Sequence, residues 1–419
     1  MPFLKIIRVT TFETDNSSEL CIRSRAFNPD IENMKKFFAI AVLAVAICGC
    51  RKVEILSEPE TAREEAPGFV ALEDVARIFA GLPIGVGQVT EVHDAASSSA
   101  GNGYDEEYLM KDLFAAPGCG VGDEPSKAAG NYEKPLRELL LEALASGTKS
   151  GDGARWLDSL SVSDVQIYWP YSEDWDGKQL PVITFDPGDL ATSNVGYALR
   201  ADGGYDKVMV DENMAAERPV WVMNRNSDAD YKSLEMRRRE DPSWGNGGGD
   251  IIVRPSTKAS EPDFKTLVLR SFTAKRQYDS WFAGGAEFFV KLGSIEKFKA
   301  TTVNEITSYE PTVTDFMIVV KRKQVGEEIP FNAVLVSEWT KGLTTCAFMI
   351  TEDDGGTRTT WKCNATVKVN SKSYGIELEI PLYTRDDVVW RGPLTRNYIE
   401  KYSGTVGHFG DVDLVLELI

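Results

Sequence analysis

The chain has 419 residues, of which 42% are hydrophobic and 26% are charged, and its formal net charge is -18 at pH 7. This composition is typical of a folded globular protein that is long enough for two or three domains. The negative charge repels phosphate backbones, and no basic stripe with interleaved aromatic residues occurs, so nucleic acid is excluded as an expected partner. An ordinary solvated surface carries the same charge, so the charge identifies no ligand.

The N-terminal part of the sequence resembles an export signal. Lys35 and Lys36 form a basic start, and residues 37–47 are an uncharged apolar run. This run is too short for a membrane-spanning helix, which needs about 20 residues, but it matches the apolar core of a secretory signal. We therefore interpret residues 34–49 as a signal peptide and residues 1–33 as an extension upstream of the true translation start.

The end of this signal predicts a lipid anchor. Residues 47–50 read Ile-Cys-Gly-Cys, which resembles the lipobox of bacterial lipoproteins, in which a small residue precedes the acylated cysteine. Cys50 is therefore the predicted attachment site for acyl chains such as palmitate. Arg51 follows it, whereas aspartate there would suggest retention at the inner membrane, so we expect an outer-membrane location on either the periplasmic or the surface face. Residues 50–67 are polar and acidic with two prolines, which predicts a tether.

Residues 68–160 have the hydrophobic spacing of helices. Leu72, Val75 and Phe79 recur at intervals of three and four residues, which places them on one helical face. The segment 132–146 has a proline near its start and a glycine just past its end, a punctuation typical of a helix. We predict a helical region here.

From residue 161 onward the pattern is that of strands. Residues 161–226 contain short β-rich runs separated by Gly, Pro and Asp, and residues 227–262 are rich in Gly, Pro, Ser and charge, which predicts a linker or long loop. Residues 263–419 contain about eight strand-like runs in which apolar and polar residues alternate. Because such strands bury one face and expose the other, we predict an antiparallel β-sandwich there, and an α+β, β-dominated fold for the whole chain.

Motifs that would indicate catalysis are missing from the sequence. The mature chain has two histidines, His93 and His408, which lie far apart, and the HExxH, GxSxG and GxxxxGK[ST] patterns do not occur. We therefore predict no catalytic residue, no confident metal site and no cofactor other than a possible Ca²⁺.

One acidic and aromatic segment is a candidate ligand site. Its members are Trp169, Tyr171, Asp174, Trp175 and Asp176. Carboxylates supply the oxygen ligands that Ca²⁺ prefers, and aromatic rings stack on sugars. Asp-Gly pairs are equally typical of turns between strands, so this segment also fits a plain turn.

A disulfide between Cys346 and Cys363 follows from a proposed hairpin register. Asp354 and Gly355 fit a two-residue type I′ turn between two strand-like runs. Counting outward from that turn places the two cysteines opposite each other on the apolar side, as a non-hydrogen-bonded pair with a Cα separation of about 4.5 Å. Export to an oxidising compartment favours the bond, and the alternative is two buried thiols.

Several segments together resemble a known group of proteins. The lipobox, the acidic tether, the stretches GNGYDEEY and IYWPYSEDWDG, and WFAGGAEFFVKLG in the strand-rich part are similar to a family of Bacteroidales-type cell-envelope lipoproteins. The resemblance covers most of the mature chain and implies export and the fold class, but no functional residues. We expect a non-enzymatic binding or structural lipoprotein with an unidentified protein or glycan partner. The alternative is a secreted, carboxylate-dependent hydrolase that acts on a glycan or peptide.

Overall fold

The computed structural model describes residues 9–12, 70–115, 132, 134–147, 152–188, 191–226, 231–242 and 264–419. These residues all belong to one structural unit. The first described strand, β1 (Val9–Phe12), falls within the predicted N-terminal extension. The predicted signal peptide, Cys50 and the predicted tether lie outside the described residues. None of the helices in the described ranges is both long enough and apolar enough to cross a membrane.

A six-stranded sheet is the centre of the N-terminal lobe, which we define as residues 70–226. Its strands are β2 (Glu107–Leu109), β3 (Val165–Tyr168), β4 (Val182–Phe185), β5 (Ser193–Leu199), β6 (Tyr205–Asp211) and β7 (Val220–Arg225). They lie in the order β2-β3-β7-β4-β5-β6. Neighbouring strands are antiparallel except β4 and β7, which are parallel.

Helices cover one face of this sheet. They include α1 (Leu72–Ala80), α2 (Val86–Gly101), α3 (Met110–Phe114), α4 (Leu136–Gly147) and α5 (Asp152–Ser161). Successive side chains of a strand point to opposite faces, so in β7 Trp221 and Met223 join the cluster of the helices whereas Val220 and Val222 face the other side. The predicted helical and β-rich regions thus share one hydrophobic core.

The C-terminal lobe, residues 264–419, consists mainly of two antiparallel sheets. Its strands are β8 (Phe264–Ala274), β9 (Ala286–Ser294), β10 (Thr312–Val320), β11 (Ile329–Thr340), β12 (Leu343–Glu352), β13 (Arg358–Val369), β14 (Lys372–Tyr383), β15 (Asp387–Thr395), β16 (Thr405–Phe409) and β17 (Val412–Leu418). The larger sheet has the order β1-β14-β13-β12-β9-β10, with β15 also paired to β12, and the smaller has the order β11-β8-β17-β16.

One hydrophobic cluster lies between these two sheets. Phe272 of the smaller sheet contacts Phe288 of the larger, with ring centroids 5.1 Å apart. Two sheets that bury their inner faces in one core fit the β-sandwich architecture. The predicted class is confirmed: the chain is α+β and β-dominated, with a helical N-terminal part and antiparallel sheets in the C-terminal region.

Four short helices complete the described structure. They are α6 (Glu212–Glu217), α7 (Leu234–Glu240), α8 (Val303–Ile306) and α9 (Arg396–Tyr402). Helix α7 falls inside the predicted linker, residues 227–262. The Ser233 hydroxyl caps it by accepting a hydrogen bond from the Met236 N–H at 3.1 Å, and Leu234 is buried in the sandwich core. The described part of that segment therefore packs against the C-terminal lobe.

The β8–β9 loop joins the two lobes. Trp281 and Phe282 of this loop pack on the face of the six-stranded sheet that is opposite to the helices. There they form a cluster with Tyr168 and Val222. The Asn224 side chain donates a hydrogen bond to the Phe282 carbonyl at 3.0 Å. Both lobes thus supply side chains to this interface, which we call the junction.

The structure does not contain the disulfide predicted between Cys346 and Cys363, since both are free thiols. The predicted hairpin register is wrong, because β12 pairs with β13 only near Leu343 and Thr345. From Ala347 onward, the same edge of β12 is occupied by β9, while β15 occupies the other edge. A strand has two edges, so β13 is displaced and Cys363 pairs instead within β14.

Candidate functional site

Of the two tryptophans of the sequence-predicted site, Trp169 lies in the core of the N-terminal lobe and Trp175 is half-buried against that core. Trp169 follows β3 and is 1% exposed, and its ring lies 5.6 Å from that of Trp175 and 6.0 Å from that of Trp221. The His93 ring lies 5.3 Å from Trp175. Because these rings pack on one another, their main role in this structure is to fill the core.

The other members of that segment make structural contacts. Tyr171 has a φ of 60°, and its hydroxyl donates a hydrogen bond to Glu212 at 3.1 Å. Asp174 forms an ion pair with Lys323 of the C-terminal lobe. Asp176 accepts hydrogen bonds from the backbone N–H groups of two residues that follow it, at 2.9 and 3.0 Å, as in an Asx turn. The two aspartates therefore serve the junction and a turn.

Three acidic side chains converge elsewhere, at the sandwich side of the junction. Within the described ranges, one group of three or more potential metal ligands is close enough to share an ion, and it comprises Asp279, Glu287 and Glu352. Their ligand oxygens all lie within 4.8 Å of one another. We call this group the acidic pocket.

Neighbouring strands bring the pocket together. Glu287 is the second residue of β9 and Glu352 is the last residue of β12, and these strands pair as neighbours. The Asp353 N–H donates a hydrogen bond to the Glu287 carbonyl at 3.0 Å. Asp279 comes from the β8–β9 loop, which carries Trp281 and Phe282 two and three residues further on. The pocket thus links the junction loop to the larger sheet.

Glu352 is the most unusual of the three acids. It is 0% exposed, and among the described residues no N–H or hydroxyl group donates a hydrogen bond to either of its carboxylate oxygens. The carboxyl group of Asp279 lies close enough to share a proton with it. Burial and the Asp279 carboxylate raise the pKa of Glu352 to about 11, and burial raises the pKa of Asp279 to about 6.

Charges around the pocket are mostly negative. Asp353 and Asp354 act on both Glu352 and Asp279 and raise the pKa of each. The Arg322 guanidinium is the neighbouring positive charge; it lowers the pKa of Asp279 and donates a hydrogen bond to the Asp279 carbonyl at 3.1 Å. The side chain of Arg322 also lies 3.6 Å from the Glu212 carboxylate, so its charge is divided between two acids.

A second pair of buried acids, in contrast, accepts several hydrogen bonds from N–H and O–H groups. Asp105 accepts hydrogen bonds from the N–H groups of Gly285 at 2.7 Å and Glu106 at 2.8 Å. Glu106 accepts hydrogen bonds from the Ser172 hydroxyl at 2.7 Å and backbone N–H at 3.2 Å, and lies 3.5 Å from the Lys321 ammonium. The contacts with Gly285 and Lys321 cross the junction. Gly285 fits them closely, since a Cβ there would lie 3.0 Å from a backbone carbonyl oxygen.

Glu106 makes the stability of the junction depend on pH. Burial, together with a hydrogen bond from its protonated carboxyl to Glu173, raises its pKa to about 8. A carboxyl whose pKa in the folded state exceeds its usual 4.5 stabilises the fold fully below pH 4.5 and loses this contribution as the pH rises through about 8. We expect the free energy of unfolding to fall over this range, by at most about 1.4 kcal/mol per pH unit from this group.

Urea denaturation across the pH range measures this effect. Glu106→Gln cannot ionise and should flatten the decline, whereas the exposed control Glu377→Gln should leave it unchanged. If the free energy of unfolding of Glu106→Gln falls with pH as steeply as that of the wild type, Glu106 is not the group responsible for the decline.

Sequence reasoning missed all three members of the acidic pocket. The signal that was available is the charge of Glu287 and Glu352 within otherwise apolar strands, AEFFV and CAFMITE. A buried strand seldom carries an unpaired charge, so each glutamate marks a position that needs an explanation. Asp279 gives no such signal, because it stands in a polar loop sequence.

The segments on which the family resemblance rests meet at this place in the structure. Asp105 of GNGYDEEY contacts Gly285 of WFAGGAEFFVKLG, and the next residue of the first segment contacts Ser172 of IYWPYSEDWDG. Glu287 of the acidic pocket belongs to the same glycine-containing segment. No protein-family model, curated protein or solved structure matches the chain.

Proposed function

We propose that the protein is a lipid-anchored, non-enzymatic binding or structural protein of the bacterial cell envelope. The lipobox-like sequence that ends at Cys50 supports the anchor and an outer-membrane location. The single observation that supports a binding role is the acidic pocket, in which a fully buried glutamate has no hydrogen-bond donor. A protein or glycan is the expected further partner, and the acidic chain argues against nucleic acid.

Burial of the pocket favours binding over hydrolysis. A glycosidase places its two carboxyl groups on either side of the scissile bond, at separations of about 5 Å or more. Here the carboxylate oxygens lie within 4.8 Å of one another and Glu352 is 0% exposed, so a polymer cannot reach between them. The acids of the sequence-predicted site are also engaged, Asp174 with Lys323 and Asp176 in its turn.

A carboxylate-dependent hydrolase is the second candidate function. It is favoured by the close approach of Asp279 and Glu352, whose ligand oxygens lie within 4.8 Å of each other, because two carboxyls that share a proton can act as acid and base.

Assays of the purified mature protein decide between these functions. We expect no turnover of a panel of glycan and peptide substrates, because Glu352 is 0% exposed and a polymer cannot contact its carboxyl group. Turnover by the wild type that is lost in Asp279→Asn and Glu352→Gln, but kept in the exposed control Glu377→Gln, would establish the hydrolase instead.

A further inference from the structure

We propose that Asp279, Glu287 and Glu352 form a binding site for a hard divalent cation, and that this cation is Ca²⁺. The inference names the ligand class of the proposed binding function. It is carried by two independent observations: three carboxylates whose oxygens lie within 4.8 Å of one another, and the complete burial of one of them without a donor.

Other buried acids in the chain show how unusual Glu352 is. Asp105 is 4% exposed and Glu106 is 3% exposed, and each accepts two hydrogen bonds from N–H or O–H groups. Glu91, 4% exposed, accepts a hydrogen bond from the Leu136 N–H at 2.7 Å. At each of these three positions, the buried carboxylate therefore accepts a hydrogen bond from at least one neighbouring group. At Glu352 no donor of this kind lies in the part of the chain that the structure describes, so a bound group is the compensation that we infer.

A cation is the group that fits. A neutral ligand would leave three carboxyl groups close together with no positive charge between them, and an anion would add a further negative charge. A divalent cation offsets the repulsion and satisfies both oxygens of Glu352 at once. Asp353 and Asp354 add to the negative potential at this position, which attracts a cation further.

The chemistry of the ligands selects the class of cation. All three side chains offer only oxygen atoms, which suit hard cations, whereas Zn²⁺ sites typically use nitrogen and sulfur ligands. Ca²⁺ takes 6–8 oxygens and accepts bidentate carboxylates, so three carboxylates and a few waters complete its shell. Mg²⁺ demands a near-ideal octahedron and keeps most of its waters, which a site that already supplies three carboxylates, one of them fully buried, does not favour.

Cation binding would also hold the β8–β9 loop against the larger sheet. Asp279 lies in the loop that carries Trp281 and Phe282 to the N-terminal lobe, while Glu287 and Glu352 are held by the larger sheet. One ion that contacts all three side chains therefore joins the loop to the sheet. We expect binding to stabilise the folded protein, because the unfolded chain does not gather these residues.

The test uses the whole mature protein, stripped of metal with a chelator and then titrated with CaCl₂ or MgCl₂. We expect one Ca²⁺ per chain by equilibrium dialysis with ⁴⁵Ca²⁺, and a saturable rise in melting temperature of about 3 °C or more. Glu352→Gln keeps the shape of the side chain, removes its charge and should weaken Ca²⁺ binding at least tenfold. The exposed control Glu377→Gln should bind as the wild type does.

The outcomes separate this inference from the proposed function. Wild-type protein that binds no Ca²⁺ overturns the cation site, and indicates that Asp279 and Glu352 share a proton instead. Tighter binding of Mg²⁺ than of Ca²⁺ overturns the choice of Ca²⁺. Asp279→Asn serves as a second variant if Glu352→Gln does not fold, and normal Ca²⁺ binding by it would also count against the site. Substrate turnover or the absence of a lipid would overturn the proposed function while leaving these binding results unaffected.

Discussion

Phe282→Ala should lower the free energy of unfolding by about 3–5 kcal/mol. The Phe282 ring is 0% exposed and lies in the cluster that joins the two lobes, with Tyr168, Val182 and Val222. Its truncation would leave a cavity that the six-stranded sheet cannot close, since the strands on that face are held by their own hydrogen bonds. Chemical denaturation followed by tryptophan fluorescence measures the loss.

Met209→Ala is a suitable control for this experiment. Met209 lies on the edge strand β6 of the same sheet and is 63% exposed, so its truncation should change the free energy of unfolding by no more than about 0.5 kcal/mol. An effect of Phe282→Ala as small as that of the control would show that the junction packing adds little to stability. Separate transitions for the two lobes would point to the same conclusion.

Cys50→Ala should move the protein from the membrane fraction to the soluble fraction. Stable anchoring needs at least two acyl chains, and bacterial lipoproteins, which the N-terminal sequence resembles, attach them at the lipobox cysteine. Cys50 lies outside the described residues, so this expectation depends on the sequence alone. Fractionation of cells, together with labelling by a palmitate analogue, measures the effect.

The neighbouring cysteine provides a matched control for the anchor. In Cys48→Ala the lipobox-like sequence keeps its small residue before Cys50, so this variant should remain labelled and membrane-bound. Acyl labelling that persists in Cys50→Ala would refute the anchor assignment.

The strands of the sandwich could be predicted because their alternation is local. In β14, Tyr374, Ile376, Leu378 and Ile380 alternate with polar or smaller residues in the sequence, and all four are buried. The pairing of strands could not be predicted in this way. The hairpin register of β12 and β13 followed from turn chemistry between neighbours, whereas β9, which is distant in sequence, occupies most of that edge of β12.

The site was less predictable than the fold for the same reason. The segment from Trp169 to Asp176 combines aromatic and acidic residues in sequence, and the structure uses those side chains for the core, the junction and a turn. The acidic pocket takes one residue from a loop and one from each of two strands, so no short window of sequence contains it. Spatial clusters of this kind appear only when the long-range pairing is known.

The smaller sheet of the sandwich has a consequence for how fast the protein folds. Strand β8 pairs on one side with β11 and on the other with β17, which comes from the far end of the C-terminal lobe. Contacts between such distant segments give a high contact order, and chains of high contact order fold slowly because a large loop must close before the pairing stabilises it. If the protein is exported as proposed, slow closure is useful, since a chain that has not yet joined β8 to β17 is still extended enough to pass through a translocation channel.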